Sequence, residues 1–321
     1  MPVPSILRER LRLPVIASPM FIVSNPDLVI AQSTAGVVGS FPTLNARPQS
    51  QLRVWLEQIT EALAKYDAEN PDAPSAPYAV NLIVHRTNDR LLEDLAVVEE
   101  FQVPIVITSL GARTDVNDRI HAYGGVVLHD VINNVYARKA IDKGADGLIA
   151  VAAGAGGHAG TQSPFALVQE IRDWFDGPLA LSGSIATGDA VLAARAAGAD
   201  FGYVGSLFIA TEEANAVPGY KQMLVDSSAG DIVYSNQFTG VWGNYLRGSI
   251  EAAGLDPDNL PQSSPDAMDF ASGGLGDTKA WRDIWGAGQG VGRISDIAPA
   301  RAVVDRLDAE YRAALGRIAA G

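Results

Sequence analysis

Eight short apolar runs recur along the first two-thirds of the 321-residue chain, each followed by a helical pattern. This repetition constrains the fold more than any other feature of the sequence. The runs span residues 15–20, 37–41, 78–84, 103–110, 125–131, 146–153, 178–185 and 201–210. Most are nearly continuous rather than alternating, the pattern of parallel strands covered on both faces. Between them lie amphipathic stretches such as PQSQLRVWLEQITEALAKY, NNVYARKAIDKGAD and TGDAVLAARAAGAD. The last two stop at Gly-Ala-Asp and lead straight into the next run. Eight strand–helix units in series predict a (β/α)8 barrel of the TIM type. A doubly wound open sheet also alternates. Here, however, polar or glycine residues follow run after run: Ser18, Asn81, Ser109, His129, Gly156 to His158, Ser182 to Ser184, and Gly205 with Ser206. A barrel converges all those ends on one face, whereas an open sheet spreads them along an edge.

After residue 225 the pattern changes. Residues 226–292 are rich in Gly, Pro, Ser and aromatics, and read as an inserted, lid-like segment on a barrel formed by residues 1–225. Residues 293–321 form an amphipathic helix that packs back on the barrel wall, so the chain is one domain with an insertion. Phe238, Trp242 and Tyr245 in the insertion either roof an apolar pocket or anchor the segment to the barrel.

Several classes of chemistry drop out on composition. The chain has no cysteine, which excludes disulfides, thiol nucleophiles and Cys-ligated clusters. Its formal net charge of −13 argues against nucleic acid, which is held by excess Lys and Arg. Four histidines with no HExxH pattern give no metal site. No run approaches the length of a membrane helix, and the start lacks a secretory h-region, so a cytoplasmic location without a membrane partner is expected.

The chemistry-bearing positions sit where a barrel would converge them. SGSIATGDA and VGSLFIAT follow the seventh and eighth runs, where the N–H groups of glycine-rich turns cradle phosphate in barrels. Gly183 and Gly205 would let the main chain approach, with Ser184 and Ser206 adding hydroxyls. Without a P-loop lysine, such a cradle suits a resident phosphorylated cofactor. Pro19 and Met20 stand at the first strand's mouth. Asn81 either offers donor and acceptor to a flavin edge or caps a turn. His158, inside GAGGHAG, is read as a general base or neutral donor. His129 beside Asp130 is either a cofactor contact or a salt-bridged structural group. His85 and His121 are read as surface residues, and WGAGQGVG as a return to the active face with Gln289 a ligand contact.

Together, PVIASPM, AVNL, TSLG, ARKAIDKGADGLIAVAAGAGGHAG, LALSGSIATG and GADFGYVGSLFIAT resemble the nitronate monooxygenases, formerly called 2-nitropropane dioxygenases. The likeness runs from about residue 13 to residue 212 and returns at AGQGVG; its most specific element is the AGGHxG motif at Ala155 to Gly160. The resemblance implies an FMN-containing barrel that oxidises alkyl nitronates, such as propionate 3-nitronate, with O2 to a carbonyl compound and nitrite. It places the catalytic histidine on His158. The cofactor contacts it carries over fall on Pro19, Met20, Asn81, Gly156, Gly183, Ser184, Gly205 and Ser206, and the reading of the strand ends and turns adds Ser109, His129, Gly157 and Gln289. The chain departs from the pattern in having SGS where SGG is common, His129-Asp130 where some relatives carry a lysine, and Gly286 where some carry a serine. Two alternatives stand beside this expectation: an FMN-dependent NAD(P)H reductase of quinones or enoyl-acyl-carrier protein, and a phosphate-binding barrel without flavin.

Overall fold

The computed structural model describes residues 3–263 and 283–320. Its parallel strands are β1 (Val15–Ala17), β2 (Gly39–Pro42), β3 (Tyr78–Ile83), β4 (Ile105–Ser109), β5 (Val126–Val131), β6 (Gly147–Val151), β8 (Leu179–Ser182) and β9 (Phe201–Val204). They neighbour one another in the order β1-β9-β8-β6-β5-β4-β3-β2. A parallel bridge between Ile16 and Val38 joins the two ends. There the Ala17 N–H donates to Val38 O at 2.8 Å and the Val38 N–H to Val15 O at 3.1 Å. The ring is closed, which excludes the open sheet.

Side-chain alternation then divides the apolar residues into two layers. Ile16, Val38, Ala79, Ile107, Leu128, Ile149, Ala180 and Phe201 pack together inside the ring, joined by Leu7 of α1 (Ser5–Arg8). Their strand neighbours, such as Val15, Val80, Val106, Val127 and Leu148, belong to the outer layer under the helices. Carried two residues further, the inward set becomes Ser18, Asn81, Ser109, Asp130, Ser182 and Tyr203. An apolar plug thus ends in a polar ring at the C-terminal mouth.

The outer helices are α2 (Pro26–Ala35), α3 (Gln51–Glu69), α4 (Leu91–Glu100), α5 (Thr114–Ala122), α6 (Asn134–Asp142), α7 (Pro164–Arg172) and α8 (Gly188–Ala197). Three start sharply because a side chain occupies a free amide of the first turn. Asn25 accepts from Leu28 N, Asn133 from Tyr136 N and Thr187 from Ala190 N. The final helix, α12 (Ala300–Ala320), packs on α2 and α8. A Cβ on Gly188 would lie 2.7 Å from the Glu310 carbonyl carbon, so glycine sets that approach. The Glu310 carboxylate accepts the Gly188 N–H at 2.8 Å.

After β9 come α9 (Ser206–Ile209), α10 (Pro218–Asp226), the hairpin β10 (Ile232–Ser235) and β11 (Gly243–Leu246), and α11 (Arg247–Ala252). The hairpin pairs antiparallel with a two-residue strand, β7 (Gly157–His158), from the loop after β6. The insertion is therefore stitched to the barrel mouth through the histidine motif. Residues 264–282 of the expected insertion lie outside the described residues. Among the described residues, no helix is long and apolar enough to cross a membrane.

Candidate active site

The C-terminal strand ends and the insertion enclose a cavity of about 1200 Å³. The polar ring, the glycine-rich turns and His158 all border it.

His158 owes its position to β7. Gly243 stands opposite it in register, Ala159 N–H donates to Trp242 O at 3.1 Å, and the Tyr234 hydroxyl donates to Ala159 O at 3.0 Å. Its Nε2 lies 3.1 Å from the Thr239 hydroxyl. The ring is half-buried and borders the cavity. Desolvation pushes its pKa down to about 4, so the imidazole is neutral at neutral pH.

The glycines around His158 serve close packing rather than looseness. Gly154 and Gly157 have φ of +84° and +64°. A Cβ on Gly156 would lie 2.7 Å from Gly288 N, and one on Gly288 would lie 2.7 Å from Gly154 O. Two glycine-rich segments, far apart in sequence, thus run backbone against backbone. Gln289 N donates to Gly154 O at 2.9 Å, and the Asn244 amide donates to Ala155 O at 2.6 Å. WGAGQGVG does return to the active face, but the Gln289 side chain is exposed and does not border the cavity. The main chain of that segment, not the glutamine side chain, is what meets the site.

The two Gly-Ser turns lie beside this strap. Gly183 has φ of +137°, and a Cβ there would lie 2.7 Å from Ala153 O. Ser184 has φ of +57°, a conformation that costs a non-glycine residue about 1–3 kcal/mol. Its N–H points to Gly154 O at 3.3 Å, so the hydroxyl is the donor this residue can offer a ligand. Ser206 accepts from Gly288 N at 2.9 Å and keeps its own proton to donate. Beside Gly205 nothing lies nearer than 3.5 Å to a Cβ position, where Ser18 and the Met20 sulfur border open space. Pro19, Met20 and Gly157 also line the cavity.

On the floor, Asn81 donates to Ile107 O at 3.0 Å and to the Ser109 hydroxyl at 2.7 Å, and Ser109 donates to Asp130 at 2.7 Å. Asn81 is not a turn cap. Both its protons are used within the barrel, leaving the amide oxygen as its acceptor. Burial pushes the Asp130 carboxyl up to about 6, against the opposing Ser109 bond. Burial and then the Asp130 charge push the Tyr203 hydroxyl well above its usual range.

His129 faces the outer layer, where the Thr108 hydroxyl lies 2.6 Å from Nδ1; its edge borders the cavity. Burial lowers its pKa to about 4, and among the described residues it pairs with no carboxylate, contrary to the salt-bridged alternative. His85 lies at the surface as read, in an exposed contact 2.9 Å from the Thr87 hydroxyl, and also borders the cavity. His121 is exposed and paired with Asp146 at 2.9 Å. The insertion aromatics divide. Trp242 stacks on Tyr234 with centroids 5.0 Å apart and lines the cavity. Phe238 and Tyr245 pack edge to face in a small core with Ile250 and Ile284.

Sequence reasoning missed Asp130, Tyr203, Lys139 and Thr239. Strand parity would have found Asp130 and Tyr203, which share the inward register of Leu128 and Phe201. Lys139 and Thr239 carry no local signal. Among the described residues no cluster of His, Asp or Glu is arranged to hold a metal. The site instead offers hydroxyl donors around two turns, a neutral imidazole, and room for a cofactor with its substrate.

Comparison with known proteins agrees with this geometry. The nitronate monooxygenase family model matches residues 6–310. A protein of Mycobacterium tuberculosis named as a monooxygenase is 27% identical, the alignment covering 70% of this chain and 63% of that protein, just under two-thirds. A nitronate monooxygenase of Paraburkholderia phytofirmans is 24% identical over 95% of this chain and 94% of its own. Two solved structures share the fold at 23% identity. They are a nitroalkane oxidase from Streptomyces ansochromogenes (TM-score 0.79; 98% of this chain and 100% of that one) and FabK from Thermotoga maritima (TM-score 0.78; 98% and 97%). With a family match over residues 6–310 and a closed barrel, the chain belongs to the nitronate monooxygenase family.

Proposed function

We propose that the protein is an FMN-dependent nitronate monooxygenase, converting alkyl nitronates and O2 to a carbonyl compound and nitrite. One observation carries the reading: the neutral His158 borders the same cavity as the Gly183-Ser184 and Gly205-Ser206 turns. The residues present fit FMN. The cavity exceeds the span of an ordinary ligand pocket, about 300–1,000 Å³. The Ser184 and Ser206 hydroxyls and the open space at Gly205 suit the phosphate, and the Asn81 amide oxygen can accept from a ring N–H. Met20, Pro19, Gly156 and Gly157 would border the cofactor. Bound FMN would supply the electron transfer between nitronate and O2.

The chain's own groups do the rest. A nitronate is already a carbanion equivalent, so no residue has to remove a proton from it. A buried imidazole with a pKa near 4 would be a weak base toward a neutral nitroalkane. In the tautomer whose Nε2 accepts from the Thr239 hydroxyl, the ring's N–H on Nδ1 is suited to donate a hydrogen bond to an anion. Thr239 holds the ring, and Tyr234 and the Trp242 carbonyl hold the neighbouring Ala159.

The test is aerobic turnover of the yellow, FMN-loaded protein with propionate 3-nitronate. Nitrite release with O2 uptake is expected. A colourless protein that takes up no FMN, or one whose flavin is bleached anaerobically by NADH or NADPH but not by nitronate, would overturn the reading.

A further inference from the structure

Six large apolar side chains stand exposed around the cavity mouth: Ile22, Ile132, Tyr136, Val217, Tyr234 and Trp242, each 37–56% exposed. Scattered singly, such residues need no explanation; gathered around one opening, they mark a surface that something apolar covers. The collar is continuous with the reaction site. Tyr234 and Trp242 are bonded to Ala159, the residue after His158, and their stack leads from that strand to the rim. A small nitronate beside His158 would leave the collar to water. Among the described residues, Lys139 is the only Lys or Arg, and Asp130 the only Asp or Glu, that borders the cavity.

Resting on the nitronate reading above, we propose that this site takes nitronates bearing a long or ring-containing hydrocarbon body. The anionic head sits at His158 and the hydrocarbon runs along the Tyr234–Trp242 stack to the collar. The apolar rim supplies affinity by burial, and Lys139 supplies, among the described residues, the cationic side chain that an incoming anion meets.

The test is a homologous series of primary alkyl nitronates, from ethyl to octyl, turned over by the FMN-loaded enzyme. kcat/KM is expected to rise about fourfold for each methylene buried, and to flatten once the tail clears the rim. In Trp242→Ala, and in Val217→Ser at a position 56% exposed and outside the packed core, the octyl-to-ethyl ratio should fall by about tenfold or more. A flat series with turnover intact overturns the proposal and leaves the nitronate reading standing. If no nitronate is turned over, that reading fails. The same question is then put to unreactive planar anions, acetate through octanoate, by flavin absorbance titration. A dissociation constant that tightens with chain length supports the apolar tail site, and a constant one overturns it. A dimer that buries Trp242, seen as concentration-dependent mass with a tryptophan emission shift, would place a second copy on the collar and overturn it too.

Discussion

At the scale of single residues, the cavity holds groups whose burial shifts them in opposite senses. Asp130 titrates near 6 when folded, above the ordinary carboxyl value, so the folded chain keeps a proton that the unfolded chain has lost. Its contribution to stability therefore falls as pH rises from about 4 to about 6, and above that the penalty is complete, at most about 3 kcal/mol. Asp130→Asn should raise the melting temperature of the cofactor-free protein at pH 8 and leave it nearly unchanged at pH 4; equal melting at pH 8 would contradict the burial argument. His129 and His158 have the reverse sign. Their folded values near 4 lie below the unfolded value, so they cost stability as pH falls from about 6.5 toward 4. In the resting protein, NMR titration of the His158 ring should accordingly show no protonation between pH 6 and 8. A midpoint inside that window would contradict a neutral, desolvated imidazole.

At the scale of elements, the site is a strap of two glycine segments plus a three-stranded sheet. Its glycines carry the geometry. Gly156→Ala would press a methyl group against Gly288 N and the Ala287 carbonyl carbon, both backbone atoms that cannot swing aside. A loss of about 1–3 kcal/mol in stability is expected, measured by denaturant unfolding of the cofactor-free protein. Unchanged stability would mean that the strap yields freely. The glycine run around His158 is visible in the sequence, but its purpose is not, because its partner lies some 130 residues away at Gly286 to Gly290. The fifth strand shows a similar limit. His129 and Asp130 look equivalent in a run buried on both faces, and only the packing of Leu128 inside the ring decides that Asp130 faces the cavity. The two-residue β7 has no sequence signature at all, since its pairing with the hairpin is entirely long-range.

At the scale of the whole molecule, the barrel is legible because its signal repeats eight times and each repeat is local. A run of Val and Ile, a capped helix and a Gly stop can all be read without knowing the neighbours. Closure and the seating of α12 cannot, since they rest on distant contacts such as Ile16 with Val38 and Gly188 with Tyr311. Gly188→Ala should force α12 away from α8 and lower the melting temperature by several degrees, with flavin binding retained; an unchanged transition would show that this contact is not part of the cooperative unit. The functional face depends on the same closure, which brings turns from opposite ends of the chain around one cavity. The central claim is that this cavity holds a flavin with His158 beside the reacting anion. Anaerobic mixing of FMN-loaded protein with propionate 3-nitronate tests it most directly, comparing the wild type with His158→Ala. The account predicts rapid bleaching in the wild type, and about 10²-fold slower bleaching in a variant that still binds FMN. Equal rates in the two proteins would contradict it.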